Sequence, residues 1–225
     1  MHSLFKRTAV ALSLAALAGS ANAAGELNIF NWGNYTNPEL IEKFEKAYDV
    51  KVTLDSYDSN ETMLAKVKAG ATGYDIVVPG DYMVATMIKE DLLERVEPNT
   101  MENFKHLDPK WVEVYWDEGR NYSVPWQWGT TSFTVDTEVY KGDVDTLVLM
   151  FDPPPELRGR INMLNDMNDV LNAGLRYVGH PRRNSDKEQL KELMEVLLKA
   201  KAYWRTMDYS TIEKLTSKDV DLSQN

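Results

Sequence analysis

Apolar positions from residue 27 onward alternate between the period of a β-strand and the period of an α-helix. The segment ELNIFNW is strand-like, and Asn37-Pro38 follows it as a helix cap with proline at the first helical position. One apolar face then repeats at helical spacing, at Leu40, Ile41, Phe44 and Ala47. The chain therefore begins this part with a strand and an amphipathic helix.

Two more strand–helix pairs follow in the next stretch of about 40 residues. VKVTLDSY alternates as a strand should, and Asp58 and Glu61 form a possible capping box for the helix after it. YDIVVPG is a fully apolar strand, and another apolar-faced helix follows. This order predicts an α/β lobe with a parallel sheet, in which ligands bind beyond the carboxyl ends of the strands. Trp32 and Tyr82 both lie just past such an end.

The second half starts the strand–helix pattern again. We predict two extended segments, Tyr122–Val124 and Ser132–Val135, then a strand at INML and a strand that begins at DVDLSQN. A possible capping residue followed three positions later by an acid indicates three helix starts, at Asp166/Asp169, Ser185/Glu188 and Ser210/Glu213. We divide the chain into a first lobe at 24–134 and a second lobe at 135–225. The second lobe is predicted to be partial, because its few strands would cover its apolar faces poorly.

Residues 1–23 are typical of a cleavable secretory signal peptide, with Lys6 and Arg7 before a short apolar run and cleavage near Ala23. The chain contains no cysteine, so we expect ordinary core packing to hold the exported protein together. Its net charge is −10, or −12 once residues 1–23 are removed with their two cations. That balance argues against nucleic acid or anionic membranes as partners and is compatible with a cationic ligand.

Catalytic and metal chemistry are poorly supported by the sequence. The three histidines are far apart, no cysteine is available, and no G-x-S-x-G or phosphate-binding glycine motif occurs. Asp166 and Asp169 could in principle act as the carboxylate pair of a glycoside hydrolase, but two acids in one helical turn do not flank a bond. We expect a protein that is not an enzyme and has no cofactor.

Capture of an organic cation fits the residues better. Trp32, Tyr35 and Tyr82 offer aromatic faces to an ammonium group, and Asp166 and Asp169 offer the opposite charge. Each residue also has a purely structural explanation, since the aromatics could be core residues and the acids could simply cap a helix.

Taken together, these stretches resemble the spermidine/putrescine-binding periplasmic proteins, the substrate-capturing components of ATP-driven polyamine import. The matching pieces include LNIFNWGNYTNPELIEKFEKAYDVKV, YDIVVPGDYMV, YSVPWQWGTTSFTVDT and INMLNDMNDVLNAGLRYVG, in the family's order. The resemblance implies a two-lobe type II periplasmic binding protein, in the periplasm and monomeric. It implies a polyamine in the cleft, an inner-membrane ABC permease as partner, and no insertion of the protein itself into the membrane.

The resemblance also implies the ligand-binding residues, which are Trp32, Gly33, Asn34, Tyr35, Gly80, Tyr82, Asp166 and Asp169. Family members commonly carry Ser or Thr and an acid where this chain has Gly33 and Asn34, and often serine at Gly80. Asp169 is shorter than the glutamate often found there. The choice between putrescine and spermidine is therefore open, as is another organic cation or an amino acid.

The resemblance further implies that the second lobe and the return crossing are incomplete, since family members continue well beyond DLSQN. A fragment that does not function alone is a further open alternative.

Overall fold

The computed structural model describes residues 25–70 and 73–225, and the signal peptide predicted at residues 1–23 lies outside them. The strands of the described residues are β1 (Gly25–Trp32), β2 (Val50–Tyr57), β3 (Ile76–Val77), β4 (Phe133–Val135), β5 (Ile161–Met163), β6 (Trp204–Met207) and β7 (Leu222–Gln224). The α-helices are α1 (Pro38–Tyr48), α2 (Asn60–Lys68), α3 (Asp81–Lys89), α4 (Val148–Phe151), α5 (Met167–Tyr177), α6 (Lys187–Ala200) and α7 (Thr211–Thr216).

The first three strands form a parallel sheet, sheet A, in the order β2-β1-β3. The predicted cap is present at α1, where the Asn37 side chain accepts a hydrogen bond from the Glu39 N–H. A small core joins this sheet to α2 and α3, with Phe30 and Tyr57 packed among the methionines Met63, Met83 and Met87. The parallel sheet predicted from the strand–helix alternation is confirmed.

The remaining strands form a mixed sheet, sheet B, in the order β4-β7-β5-β6. β7 lies between β4, to which it is antiparallel, and β5, to which it is parallel. All three residues of β5 and of β7 are buried, and helices α4, α5 and α6 supply most of the apolar cluster around them. β4 begins at Phe133 and belongs to sheet B. The division of the chain at residue 134 stays a prediction.

Some local predictions were wrong. Tyr122–Val124 forms no strand, because the buried Asp117 carboxylate accepts hydrogen bonds from the Tyr122 N–H (3.1 Å) and the Ser123 N–H (2.8 Å). A side chain thus satisfies backbone groups that a neighbouring strand would otherwise pair. The strand β6 had not been predicted, because four residues directly after a helix carry too little pattern.

Two predicted helix caps are displaced by one position. Ser59 caps α2 in place of Asp58, and Asp186 caps α6 in place of Ser185. Ser210 does occupy the capping position of α7, but its side chain makes no capping hydrogen bond. Asx and hydroxyl residues stand next to one another at these starts, so the sequence alone does not select between them.

Candidate functional site

The carboxyl ends of β1, β2 and β3 meet at one edge of sheet A. Trp32, at the end of β1, donates a hydrogen bond from its indole Nε1 to the Val78 carbonyl (2.9 Å). The Tyr57 hydroxyl, at the end of β2, donates to the same carbonyl. The two rings lie 4.7 Å apart between centroids, so Trp32 is held at the sheet edge by both a hydrogen bond and aromatic packing.

The turn after β1 places Tyr35 beside Trp32. The buried Asn31 side chain accepts from the Trp32 N–H (2.8 Å) and donates to Thr36 Oγ1 (3.1 Å), which closes the turn. Asn34 has a φ of 61°, a left-handed conformation that asparagine tolerates better than most residues. The Trp32 and Tyr35 ring centroids are consequently 6.0 Å apart.

A third aromatic residue, Tyr209, approaches this pair from the sheet B side. Its ring centroid lies 5.5 Å from that of Trp32 and 6.1 Å from that of Tyr35. We had not predicted Tyr209 as a site residue. Tyr209 lies two residues after the end of β6, a strand too short to be recognised from its pattern, so the sequence does not reveal that Tyr209 lies near a strand's carboxyl end.

Gly80 and Tyr82 belong to the start of α3. The Gly80 N–H donates to Asn60 Oδ1 (2.9 Å), and a Cβ built on Gly80 would lie 3.2 Å from Asn60 Nδ2. The Tyr82 hydroxyl faces Glu61 Oε1 at 3.2 Å and Asp166 Oδ2 at 3.5 Å. Burial, then the charges of Asp166 and Glu61, raise the pKa of the Tyr82 hydroxyl, so Tyr82 remains a neutral hydrogen-bond donor.

A cleft lies between the sheet A side, with α2 and α3, and the sheet B side, with α5, and Asp166 contacts both sides. Its Oδ1 accepts from the Asp169 N–H (3.2 Å) as the cap of α5, as the sequence predicted. Its Oδ2 accepts from the Asn60 side chain (2.9 Å) and backbone N–H (3.2 Å), which belong to α2 across the cleft. The residue is only 2% exposed, so this carboxyl group is buried and is held in place by hydrogen bonds from both sides of the cleft.

Asp169 lies in the first turn of α5, three residues after the Asp166 cap, and is half-buried. Its Oδ1 accepts a hydrogen bond from the Thr131 hydroxyl (3.0 Å). Burial and, next, the neighbouring Asp166 carboxylate raise its pKa from the usual 3.8 to about 6, although the Thr131 hydrogen bond opposes them. A carboxylate in this position gains a large stabilisation from any cation that approaches it.

Glu61 is a third carboxylate at this site, and we had assigned it only to a helix cap. One of its oxygens accepts from Tyr82, and the other, Oε2, is buried without a hydrogen-bond partner among the described residues. In the same part of the chain, no Lys, Arg or His side chain forms an ion pair with Glu61, Asp166 or Asp169. The site therefore concentrates carboxylates that form no ion pair, although the charge of Arg182 lowers the pKa of Asp169.

A pocket of about 390 Å³ opens beside these acids, between α2 and α5. Glu61 and Asp166 contribute its charged lining, and Met167, Val170 and Met207 contribute apolar lining. Its contents would meet both carboxylates and aliphatic surface, which is the combination that an alkylammonium requires.

The structure places most of the predicted site residues on the two sides of one cleft, but of the eight only Asp166 lines the pocket between α2 and α5. Trp32 and Tyr35 form one wall, Tyr82 contacts Asp166, and Asp169 lies on the same helical turn. Gly33 and Gly80 contribute backbone only, and Asn34 is exposed in the turn. The eight residues remain predicted ligand contacts.

Two other features are absent from residues 25–70 and 73–225. This range contains no group of three or more His, Cys, Asp or Glu side chains arranged to hold a metal ion. None of its helices combines the length and the apolar character needed to cross a membrane.

Asp166 and Asp169 occupy the cap and the first turn of the same helix, and Asp166 Oδ2 is already bound by Asn60. They do not face one another across a groove, as the glycosidase alternative required.

Comparison with known proteins gives one family and several relatives. Residues 39–225 match the family described as bacterial extracellular solute-binding protein. The chain is 29% identical over 219 residues to the putrescine/cadaverine-binding protein of Pseudomonas aeruginosa, covering 95% of this chain and 62% of the relative. It is 34% identical over 191 residues to the spermidine/putrescine-binding periplasmic protein of Salmonella typhimurium, covering 84% and 54% respectively. The chain therefore spans little more than half the length of these relatives.

A solved structure gives the same result for the fold. The putative spermidine/putrescine ABC transporter from Listeria monocytogenes superposes with a TM-score of 0.80 at 31% identity, over 89% of this chain and 62% of that one. The predicted α/β architecture of a type II periplasmic binding protein, in part of its full extent, is confirmed.

Proposed function

Since the chain belongs to the bacterial extracellular solute-binding proteins, we propose that it binds a polyamine such as putrescine or spermidine for an ABC import system. The relatives' names, which include putrescine, cadaverine and spermidine, support this ligand class. We propose a periplasmic location after removal of the predicted signal peptide, an inner-membrane ABC permease as partner, and a monomeric state.

The proposal rests on a cluster of carboxylates that forms no ion pair among the described residues and lies beside the aromatic wall of Trp32 and Tyr35. Glu61 Oε2 has no hydrogen-bond partner in the described residues, and Asp169 has a pKa of about 6. The unpaired oxygen and the raised pKa both reflect the free-energy costs of placing carboxylates close together in a half-buried site. An ammonium group removes those costs when it binds, whereas an anionic or neutral ligand does not.

The aromatic side chains account for the rest of the ligand. An ammonium over the Trp32 or Tyr35 ring gains about 0.5–2 kcal/mol, and the methylene chain gains from contact with the same faces. Diamines and triamines are flexible cations with alternating charged and apolar parts. Acids on one side and aromatic rings on the other match that alternation.

Polar contacts that cross the cleft support closure around the ligand. Asn60 donates to Asp166, the Asn165 side chain donates to Asp58 (3.4 Å), and Arg183 pairs with Asp81 (3.3 Å). Hinged closure of this kind is how periplasmic binding proteins enclose their ligands. We propose that lobes at 24–134 and 135–225 close in this way and that a permease recognises the closed form.

Calorimetric titration of the chain with putrescine and spermidine tests the proposal. We expect micromolar or tighter binding of at least one, weakened by added salt because charge pairing contributes. Asp169→Asn should weaken binding about tenfold or more, since it removes one charge and keeps the acceptor for Thr131. Glu102→Gln is the matched control, because Glu102 has an 88% exposed side chain on the protein surface.

Absent binding of both polyamines would refute the assignment. A thermal-shift panel of other organic cations and amino acids would then identify a different ligand class, because a ligand of the folded state raises the melting temperature.

A further inference from the structure

Tyr209 lies in a loop whose neighbours are fixed on the sheet B side of the cleft. The Asp208 N–H donates to the Met163 carbonyl (3.0 Å), and the Asp208 carboxylate accepts from the Ser210 N–H (2.9 Å) and pairs with Lys214 (3.1 Å). The backbone on both sides of Tyr209 is therefore held, so its ring has a defined place in the cleft.

That place is against the aromatic wall. Tyr57 already packs on Trp32 with centroids 4.7 Å apart, and Tyr209 approaches Trp32 to 5.5 Å. Tyr209 also contacts Tyr35 nearly edge-on, at 6.1 Å and 65°. An alkylammonium can use only the part of this wall that the Tyr209 ring leaves uncovered.

The Tyr209 ring lies over Gly33 in the turn after β1. A Cβ built on Gly33 would lie 3.9 Å from Tyr209 Cδ1, which is ordinary van der Waals contact. The ring therefore packs close to the backbone of the turn that carries Trp32 and Tyr35.

The Tyr209 hydroxyl lies within the electrostatic influence of the acids. Burial raises the pKa of its hydroxyl, and the Tyr35 phenol, Asp169 and Asp166 raise it further. The Tyr209 side chain thus contacts the aromatic wall formed by Trp32 and Tyr35, and its hydroxyl is influenced by the charges of the two acids.

We propose that Tyr209 limits the length of polyamine that the cleft accepts, so that the site favours a diamine such as putrescine over the triamine spermidine. The inference rests on the proposed function. A diamine places one ammonium at the acids and ends before the Tyr209 ring. Spermidine carries an additional aminopropyl group, which meets that ring and can be accommodated only if the ring moves.

Titration of putrescine and spermidine into the chain and three variants tests this proposal. We expect the unchanged chain to bind putrescine more tightly than spermidine. Tyr209→Ala should move the ratio of the two dissociation constants towards spermidine by about tenfold or more, because removing steric exclusion of a few atoms has effects of this size. Tyr209→Phe should keep the original ratio, because the ring remains. Tyr48→Ala, which removes an exposed tyrosine packed on Phe44, should also keep it.

The possible results separate this inference from the proposed function. If Tyr209→Ala binds both polyamines with an unchanged ratio, or if the unchanged chain prefers spermidine, length selection by Tyr209 is wrong and polyamine binding stands. If neither polyamine binds to the chain or to any variant, both proposals are wrong. Circular dichroism of each variant establishes that an altered ratio comes from a folded protein.

Discussion

Asp169→Asn should make the protein more stable at neutral pH while it weakens ligand binding. The folded state raises the pKa of this carboxyl from 3.8 to about 6. The folded state therefore binds the proton more tightly than the unfolded state, and ionised Asp169 opposes folding. A shift of this size corresponds to about 3 kcal/mol at a pH above both values. Asparagine removes the charge and still accepts a hydrogen bond from Thr131.

The pH dependence has a definite sign. The free energy of unfolding of the unchanged chain loses the Asp169 contribution progressively as the pH rises from about 4 to about 6, because the folded state then gives up its proton. Asp169→Asn lacks that loss. The difference between variant and unchanged chain should therefore increase by about 1–2 kcal/mol between pH 5 and pH 8.

Urea unfolding followed by circular dichroism at these two pH values measures the difference. Glu102→Gln, which removes a charge at a highly exposed position, should give the same small difference at both pH values. A destabilised Asp169→Asn at pH 8, or a difference independent of pH, would show that the Asp169 carboxylate is not strained by its surroundings. Such a result would also contradict the proposed role of Asp169 in binding a cation.

Three further substitutions test other parts of the structure. Asn60→Ala should lower the free energy of unfolding by about 1–3 kcal/mol in urea, because Asp166 Oδ2 loses its closest donor across the cleft; an unchanged value would contradict this contact. Gly174→Ala should lower the free energy of unfolding by about 1–3 kcal/mol in the same assay, since a Cβ there would lie 2.5 Å from Leu193 Cδ1. An unchanged value would mean that Leu193 on α6 can move aside at little cost. Trp32→Ala should weaken putrescine binding about tenfold by calorimetry; full affinity would exclude Trp32 from the ligand wall.

The sequence predicts the part of the site that lies at the carboxyl end of a strand with a clear apolar pattern. β1 has a clear apolar pattern, so the position of Trp32 at its carboxyl end could be inferred before the structure was known. The cap at Asp166 was equally predictable, because capping residues at the start of a periodic helix have a local signature.

Tyr209 and Glu61 could not be predicted in the same way. Tyr209 follows a four-residue strand that is defined by its pairing with β5 and not by its own pattern. Glu61 sits where a capping-box acid is expected, and only the three-dimensional structure turns it towards Tyr82 and Asp166. Both depend on contacts between residues distant in sequence, which local patterns do not encode.

The central position of β7 in sheet B has a consequence for the order in which the protein assembles during synthesis. β7 connects β4 to β5, and Asn225, next to it, contacts Thr134, 91 positions earlier in the chain. Pairs so distant in sequence form slowly, because a long loop must close before any contact compensates for it. While the ribosome is still adding α5, α6 and α7, β7 does not yet exist. Until it does, β4 and the edge of β5 that pairs with β7 have no partner there. The unpaired edges of these strands are therefore prone to aggregation until β7 has been made.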